Sequence, residues 1–303
     1  PVGPVHAGII EPGHFRFSVA GEEIINLEIR LGYVHKGTEK LSEQTAYDKG
    51  VLLSERISGD NSLSHAIAYC QAIEKCADAN IPPRAKFLRT IFLELERVYN
   101  LCRDVAGISL VTSYNVGAAN MYIAQERIMQ LNDFITGNRF LRNVACIGGV
   151  KKDLSEKELN KIKEDLQLTK RDLDDFINLV GQLPSFLDRT QTTGIVSNEI
   201  ANGMYIVGPV GRASGVERDV RKDHPYAAYS ELDFKIITHT KGDVQARLEQ
   251  KEKELYQAID LILQAIEKLP TGEIAIKVND IPEGKIGFSI VETPRGNAIH
   301  WIL

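Results

Sequence analysis

The stretch Glu55-Arg56-Ile57-Ser58-Gly59-Asp60-Asn61-Ser62-Leu63-Ser64-His65 decides how this chain is read. It is a polar interruption between two segments whose apolar residues recur at helical spacing. Ser58-Gly59-Asp60-Asn61 is turn chemistry, and by itself it reads as a polar cap or a buried hydrogen-bond network. The hydroxyl of Ser58 and the neutral carboxamide of Asn61 hydrogen-bond well but are poor ligands for soft metals. His65 lies two helical turns after Ser58, and is either part of a site or a satisfied interior histidine. Glu55 and Arg56 are neighbours in sequence, do not face each other on a helix, and read as a solvated pair.

Outward from this stretch the chain is mainly helical. Residues 14–31 alternate as a β-hairpin around Ala20-Gly21-Glu22-Glu23. Residues 38–50, 51–78, 82–105 and 118–136 carry apolar residues three and four apart, which predicts helices. Pro82 and Pro83 suit a helix start. Residues 153–187 read as one long charged helix opened by a capping box, with Ser155 at the cap and Glu158 three residues on. Residues 190–229 are rich in Gly, Pro and Ser and read as long loops, which in a compact domain are usually functional or contact a partner. Residues 243–269 predict a further helix, and 273–303 hold short strands such as Ile286-Gly287-Phe288-Ser289-Ile290-Val291-Glu292. The expected organisation is an amino-terminal β-hairpin region over 1–37, a helical core over 38–269 and a carboxy-terminal β element over 270–303. Helix bundles build cofactor sites from facing side chains.

With 303 residues the chain can bury a sizeable core. A net charge of −5 gives no electrostatic reason to expect nucleic acid. No apolar run approaches the ~20 residues that span a bilayer. Cys70, Cys76, Cys102 and Cys146 lack the spacing of a zinc or redox motif, and read as reduced, mostly buried thiols of a cytosolic protein.

Residues 55–65 resemble the first metal-binding motif of nickel–iron hydrogenase large subunits, Glu-Arg-Ile-Cys-Gly-x-Cys-x-x-x-His, with Ser58 and Asn61 where the two cysteines stand. Val34-His35-Lys36-Gly37-Thr38-Glu39-Lys40-Leu41 resembles that family's Arg/Lys-Gly-x-Glu element, and Glu39 lies the family's 19 residues before Ser58. Glu292-Thr293-Pro294-Arg295-Gly296, followed by His300-Trp301, resembles Glu-Ala-Pro-Arg-Gly-x-x-x-His-Trp. Gly3-Pro4-Val5-His6 and Ile9-Ile10-Glu11-Pro12-Gly13-His14-Phe15-Arg16 are similar to the opening of the membrane-linked branch of the same superfamily. That branch holds energy-converting and formate-hydrogenlyase hydrogenases and the hydrogenase-like core subunit of NADH:quinone oxidoreductase (complex I). Glu94-Leu95-Glu96-Arg97, Arg212-Ala213-Ser214-Gly215-Val216, Asp219-Val220-Arg221-Lys222, Pro225-Tyr226 and Gly242-Asp243-Val244-Gln245-Ala246-Arg247 follow in the expected order. The resemblance runs from residue 3 to residue 301.

The resemblance implies a hydrogenase large-subunit fold, mainly α with small β elements at both ends. It implies a core subunit of a membrane-associated redox complex, of the NADH dehydrogenase or formate-hydrogenlyase kind, with NAD- and quinone-linked electron transport. A small subunit would hold the iron–sulfur cluster, the complex would couple electron transfer to ion movement, and the chain would lie on the cytoplasmic side, peripheral to the membrane. Among site residues it implies His6 as a quinone-headgroup histidine, Glu11 as a proton-transfer carboxylate, Glu39 at a magnesium-type position and Arg295 over the cavity. Asp60 and His65 are further candidates, and Ser58, Gly59 and Asn61 mark the former nickel-ligand segment. The alternatives for Glu11 and Arg295 are a surface charge and a structural salt bridge, and Asp219, Arg221 and Lys222 read first as a solvated charge run. The departures matter as well. Two thiolates are missing, so nickel is not expected. Gly59 falls near the position of a quinone-binding tyrosine, and Leu101 replaces a frequent histidine. The second cysteine pair of a hydrogenase lies beyond the Pro-Arg-Gly element, and the sequence reads as trimmed before it. Two functions remain open: a redox subunit delivering electrons to quinone or another acceptor, and an inert scaffold that keeps the fold for assembly.

Overall fold

A computed structural model of the chain describes residues 2–6, 12–278 and 281–303. The chain divides into two compact units, Pro1–Thr45 and Ala46–Leu303.

In the first unit β1 (Val2–His6), β2 (Gly13–Ala20) and β3 (Glu23–Arg30) form an antiparallel sheet in chain order. The expected hairpin is β2–β3, with Ala20 paired to Glu23 across the turn. Phe15 faces Ile29 and Phe17 faces Leu27, so alternation puts the large apolar side chains on one face and Arg16, Ser18 and Glu28 on the other. The short helix α1 (Thr38–Ser42) follows.

In the second unit α2 (Tyr47–Ser54) leads into α3 (Ser62–Cys76), α4 (Pro83–Val111) and α5 (Asn115–Thr136). A small ladder, β4 (Ala145–Cys146) with β5 (Gly149–Val150), precedes α6 (Glu156–Val180). The helices α7 (Pro184–Thr190), α8 (Asn198–Gly203), α9 (Gly208–Ala213) and α10 (Val220–Asp223) are short. The long α11 (Val244–Glu267) returns to the core, and β6 (Gly287–Thr293) and β7 (Gly296–Ile302) close as an antiparallel hairpin. The 29 residues of α4 make a rod about 43 Å long. It is buried along most of its length, packed by α5 and α11, and one apolar core joins Leu63 and Ile67 of α3 to Ile91 and Leu95 of α4, Ile128 of α5, Leu166 of α6, Ile262 of α11 and Val291 of β6.

Four expectations need correction. The helix expected over 38–50 ends at Ser42, and a separate one starts at Tyr47. The helix expected over 51–78 breaks at 55–61, where side chains compete for the backbone. There Ser58 bonds to Asp60 and the Ser62 hydroxyl donates to the Gly59 carbonyl at 3.2 Å. The helix expected over 153–187 stops at Val180 and restarts at Pro184, because proline lacks an N–H and holds Leu183 in an extended conformation. The Ser155–Glu158 capping box is formed as expected. The supposed solvated run at 219–222 is wrong for two of its three charged residues: Asp219 and Arg221 are buried, and only Lys222 is exposed.

The burial of Asp219 and Arg221 has a clear cause. Arg97, Arg212 and Arg221 meet Glu94, Asp219, Glu254 and Glu292, and all seven are at most 2% exposed. Arg212 binds Glu254 at 2.7 Å and Glu292 at 2.8 Å. Arg221 binds Asp219 at 2.7 Å and Glu94 at 3.2 Å, and the Tyr229 hydroxyl donates to Glu94 at 2.5 Å. Arg97 donates to the carbonyls of Glu292 and Thr293. The motif residues Glu94, Arg97, Arg212, Asp219, Arg221 and Glu292 therefore converge on a single ionic knot. It fastens the end of β6 to α4 and α11.

Candidate functional site

The knot fixes where the Pro294-Arg295 turn sits. Thr293 pairs with Gly296 across this two-residue turn. Gly296 has φ +139°, and a Cβ on Gly208 would lie 2.5 Å from the Arg295 carbonyl, so both positions exclude side chains. From this turn Arg295 reaches the polar stretch between α2 and α3. One end of its guanidinium binds Asp60, and the other binds Asp104 of α4 at 2.8 Å. Lys251 of α11 holds the second oxygen of Asp104 at 2.5 Å. The result is an alternating chain, Asp60–Arg295–Asp104–Lys251. Burial opposes ionisation of Asp60, but the Ser58 hydroxyl and Arg295 hold its carboxyl below the ordinary range. Burial likewise opposes ionisation of Asp104, and Lys251 and Arg295 outweigh it.

The stretch is also held from beneath by one face of α4. The Asp60 carbonyl accepts from the Tyr99 hydroxyl at 2.8 Å and from the Asn100 amide at 2.7 Å. Asn61 caps α3 in position but makes no side-chain capping bond. Glu96 supplies the cap instead, accepting from the backbone N–H of Leu63 at 2.7 Å and of Ser64 at 3.0 Å, and from the Ser64 hydroxyl. Burial pushes the Glu96 carboxyl up to about 7 against these donors. Glu55, expected as half of a solvated pair, is buried and accepts from the Asn143 N–H at 2.5 Å; Arg56 remains exposed, 3.9 Å from Glu55 and bonded to the Leu52 carbonyl.

Of the candidate residues, the second unit brings Ser58, Asp60 and Arg295 into direct contact, with Gly59 exposed beside them. His65 sits on the first turn of α3 and bonds through Nδ1 to Nε2 of His300 on β7, at 3.0 Å. His6 ends β1 in the first unit, exposed, with its ring 6.4 Å from that of Phe15. Glu39 lies in the first turn of α1 and is exposed. Glu11 lies outside the described residues. Asp104, Lys251, Glu96 and the role of His300 were not read from the sequence. Glu96, Asn100 and Asp104 recur every four residues along one face of α4, a polar stripe that was available as a signal.

Chemically, the stretch offers oxygen donors. Ser58 is committed to Asp60, and the Asn61 and Asn100 side-chain oxygens are buried and without a hydrogen-bond partner among the described residues. The Asn100 amide cannot be turned over, because its nitrogen already serves the carbonyls of Asp60 and Glu96. No group of three or more His, Cys, Asp and Glu side chains among the described residues is arranged to hold a metal ion. A hydroxyl and a carboxamide do not fit a thiolate-bound nickel.

This fold and these motifs define a class: a hydrogenase-type large subunit. Residues 86–300 match the family described as respiratory-chain NADH dehydrogenase, 49 Kd subunit, and the chain belongs to that family. Carbon monoxide-induced hydrogenase of Rhodospirillum rubrum is 34% identical over all of this chain and 84% of its own length. Formate hydrogenlyase subunit 5 of Escherichia coli strain K12 is 32% identical over 99% of this chain, which spans about half, 53%, of that protein. A solved chain of the membrane-bound sulfane sulfur reductase (MBS), an archaeal respiratory membrane complex, superposes with a TM-score of 0.89 at 26% identity. The match covers 95% of this chain and 80% of that one. No helix among the described residues is long and apolar enough to cross a membrane.

Proposed function

We propose that the chain is the electron-accepting core subunit of a membrane-associated respiratory complex. It docks a small iron–sulfur subunit and other subunits, lies peripheral to the membrane, and passes electrons to a quinone or another small acceptor at residues 58–61, coupled to ion translocation. One observation carries the reading: where hydrogenase large subunits place two thiolates, this chain builds a charged and hydrogen-bonded site whose arginine is delivered by the Pro-Arg-Gly turn. Such a site suits polar recognition and proton handling rather than nickel. The reductase likeness supports an acceptor other than protons.

The scaffold reading is favoured by a different observation: Asp60, Arg295, Asp104 and Lys251 already neutralise one another. The assembled complex decides between them. Its iron–sulfur clusters are reduced chemically, and a short-chain quinone or a polysulfide is added while cluster reoxidation is followed optically. The expected result is rapid reoxidation by one of the two, slowed at least about tenfold in Arg295→Ala, the loss of one positioned charged hydrogen bond. Equal rates in the variant, or no reoxidation with either probe, would support the scaffold. Stoichiometric nickel in the intact protein would overturn the nickel-free reading.

A further inference from the structure

Two bridges tie the 60–65 stretch to the 295–300 stretch. The first, Asp60–Arg295, is ionic. The second joins two imidazoles, His65 Nδ1 and His300 Nε2, at 3.0 Å, with the rings edge to face at 63° and centroids 5.3 Å apart. The Tyr69 ring stands edge-on to His300 at 6.2 Å, and its hydroxyl is spent on the Tyr47 carbonyl. Opposite His300 in the hairpin is Ser289, whose hydroxyl donates to Gln71. The charge acting on His65 is that of Asp60, itself paired with Arg295. Burial lowers the proton affinity of His65 against the pull of Asp60, and burial and then His65 push His300 down to about 4.

Both rings are therefore neutral near pH 7. Each neutral imidazole carries a single proton, so one nitrogen of the bridge donates and the other accepts. Each ring keeps a second nitrogen outside the bridge. A strut between α3 and β7 needs no titratable group, since a carboxamide would serve.

We propose that His65 and His300 form a two-imidazole proton relay for the acceptor site at residues 58–61, with His65 the inner member and His300 acting through it. The proposal rests on the acceptor reading above. A proton arrives on Nδ1 of His300, the proton on its Nε2 crosses to Nδ1 of His65, and the proton on Nε2 of His65 leaves to the reduced acceptor. One proton moves in total, and both rings end neutral with their tautomers exchanged. The electrons do not pass through the rings; they come from the reduced iron–sulfur cluster of the small subunit.

The test uses the same reoxidation of the assembled complex, in H2O and in D2O, with a short-chain quinone or a polysulfide as probe. His300→Gln keeps a hydrogen-bonding side chain but passes no proton at neutral pH. It is expected to slow reoxidation about tenfold or more. His300→Ala is expected to be equally slow and to be restored by free imidazole, with substituted imidazoles ranking by their basicity. A wild-type rate and an unchanged D2O effect in His300→Gln overturn the relay, as does an assembled His300→Ala that imidazole fails to restore. If His300→Ala does not assemble, the Gln variant decides alone. Failure of the wild-type complex to reoxidise with either probe sinks the acceptor reading instead, and is distinguishable because it precedes any variant.

Discussion

Arg295 stands 29% exposed between two carboxylates, and the cost of removing it follows from that position. Truncating one partner of a buried pair costs roughly 3–5 kcal/mol, and partial exposure discounts this to about 1–3 kcal/mol. Arg295→Ala should lose that much unfolding free energy at pH 7 in urea titrations, and Arg295→Lys should recover part, since an ammonium cannot reproduce a planar fork. Folding holds Asp60 and Asp104 below their ordinary proton affinity, so their contribution is present above the unfolded carboxylate range and is lost as pH falls through the folded one. The gap between wild type and Arg295→Ala should therefore narrow in acid. The sequence made Arg295 conspicuous because it sits in a compact motif. It hid Asp104, whose importance depends on a contact 191 residues away.

At the scale of elements, α3 is held at its start by Glu96 of α4 and along its side by the β6–β7 hairpin. Glu96 has its proton affinity raised from 4.5 to about 7 by burial, so between those values the native chain holds more proton than the unfolded chain. Its contribution is present at the acid end and is lost as pH rises through about 7, a swing of about 3 kcal/mol at most. His300 runs the other way: it is lowered from 6.5 to about 4, so stability is lost as pH falls across that window. Melting curves from pH 4.5 to 7.5 should show Glu96→Gln without the loss toward neutral pH. His300→Gln should lack the loss toward acid. β6 lies directly on α3 because Gly287 has no side chain; a Cβ there would sit 2.0 Å from the Ala72 carbonyl. Gly287→Ala should cost about 1–3 kcal/mol or more, read as a lowered Tm, since the obstacle is backbone. Helix existence was legible from apolar spacing. The breaks at 55–61 and 181–183 were not, because side-chain hydrogen bonds within the turn and one proline outweighed periodicity.

Across the whole molecule, the buried knot of three arginines and four carboxylates is costly to break at any one member. Arg212→Met would leave Glu254 and Glu292 without their closest cation, and should lower the unfolding free energy by about 3–5 kcal/mol. Adding Glu254→Gln to that variant should restore part of the loss, a coupling that a double-mutant cycle measures. The knot explains why a reading of isolated stretches went astray at Asp219 and Arg221: besides each other, their partners are Arg212 and Glu94, far off in sequence or on another element, and nothing local marks them as interior. Family order and spacing located the site stretch and its turn, whereas the interior charge balance emerged only from the assembled fold. The two bridges, Asp60–Arg295 and His65–His300, also carry a kinetic consequence. Each joins residues 235 apart in the chain, among the most expensive loops this molecule closes. During synthesis the helices can form and pack before the hairpin exists. The site cannot exist until residues 295–300 have been made and docked, so any maturation of it, or any assembly that recognises its finished shape, acts only after the β6–β7 hairpin has joined the helices.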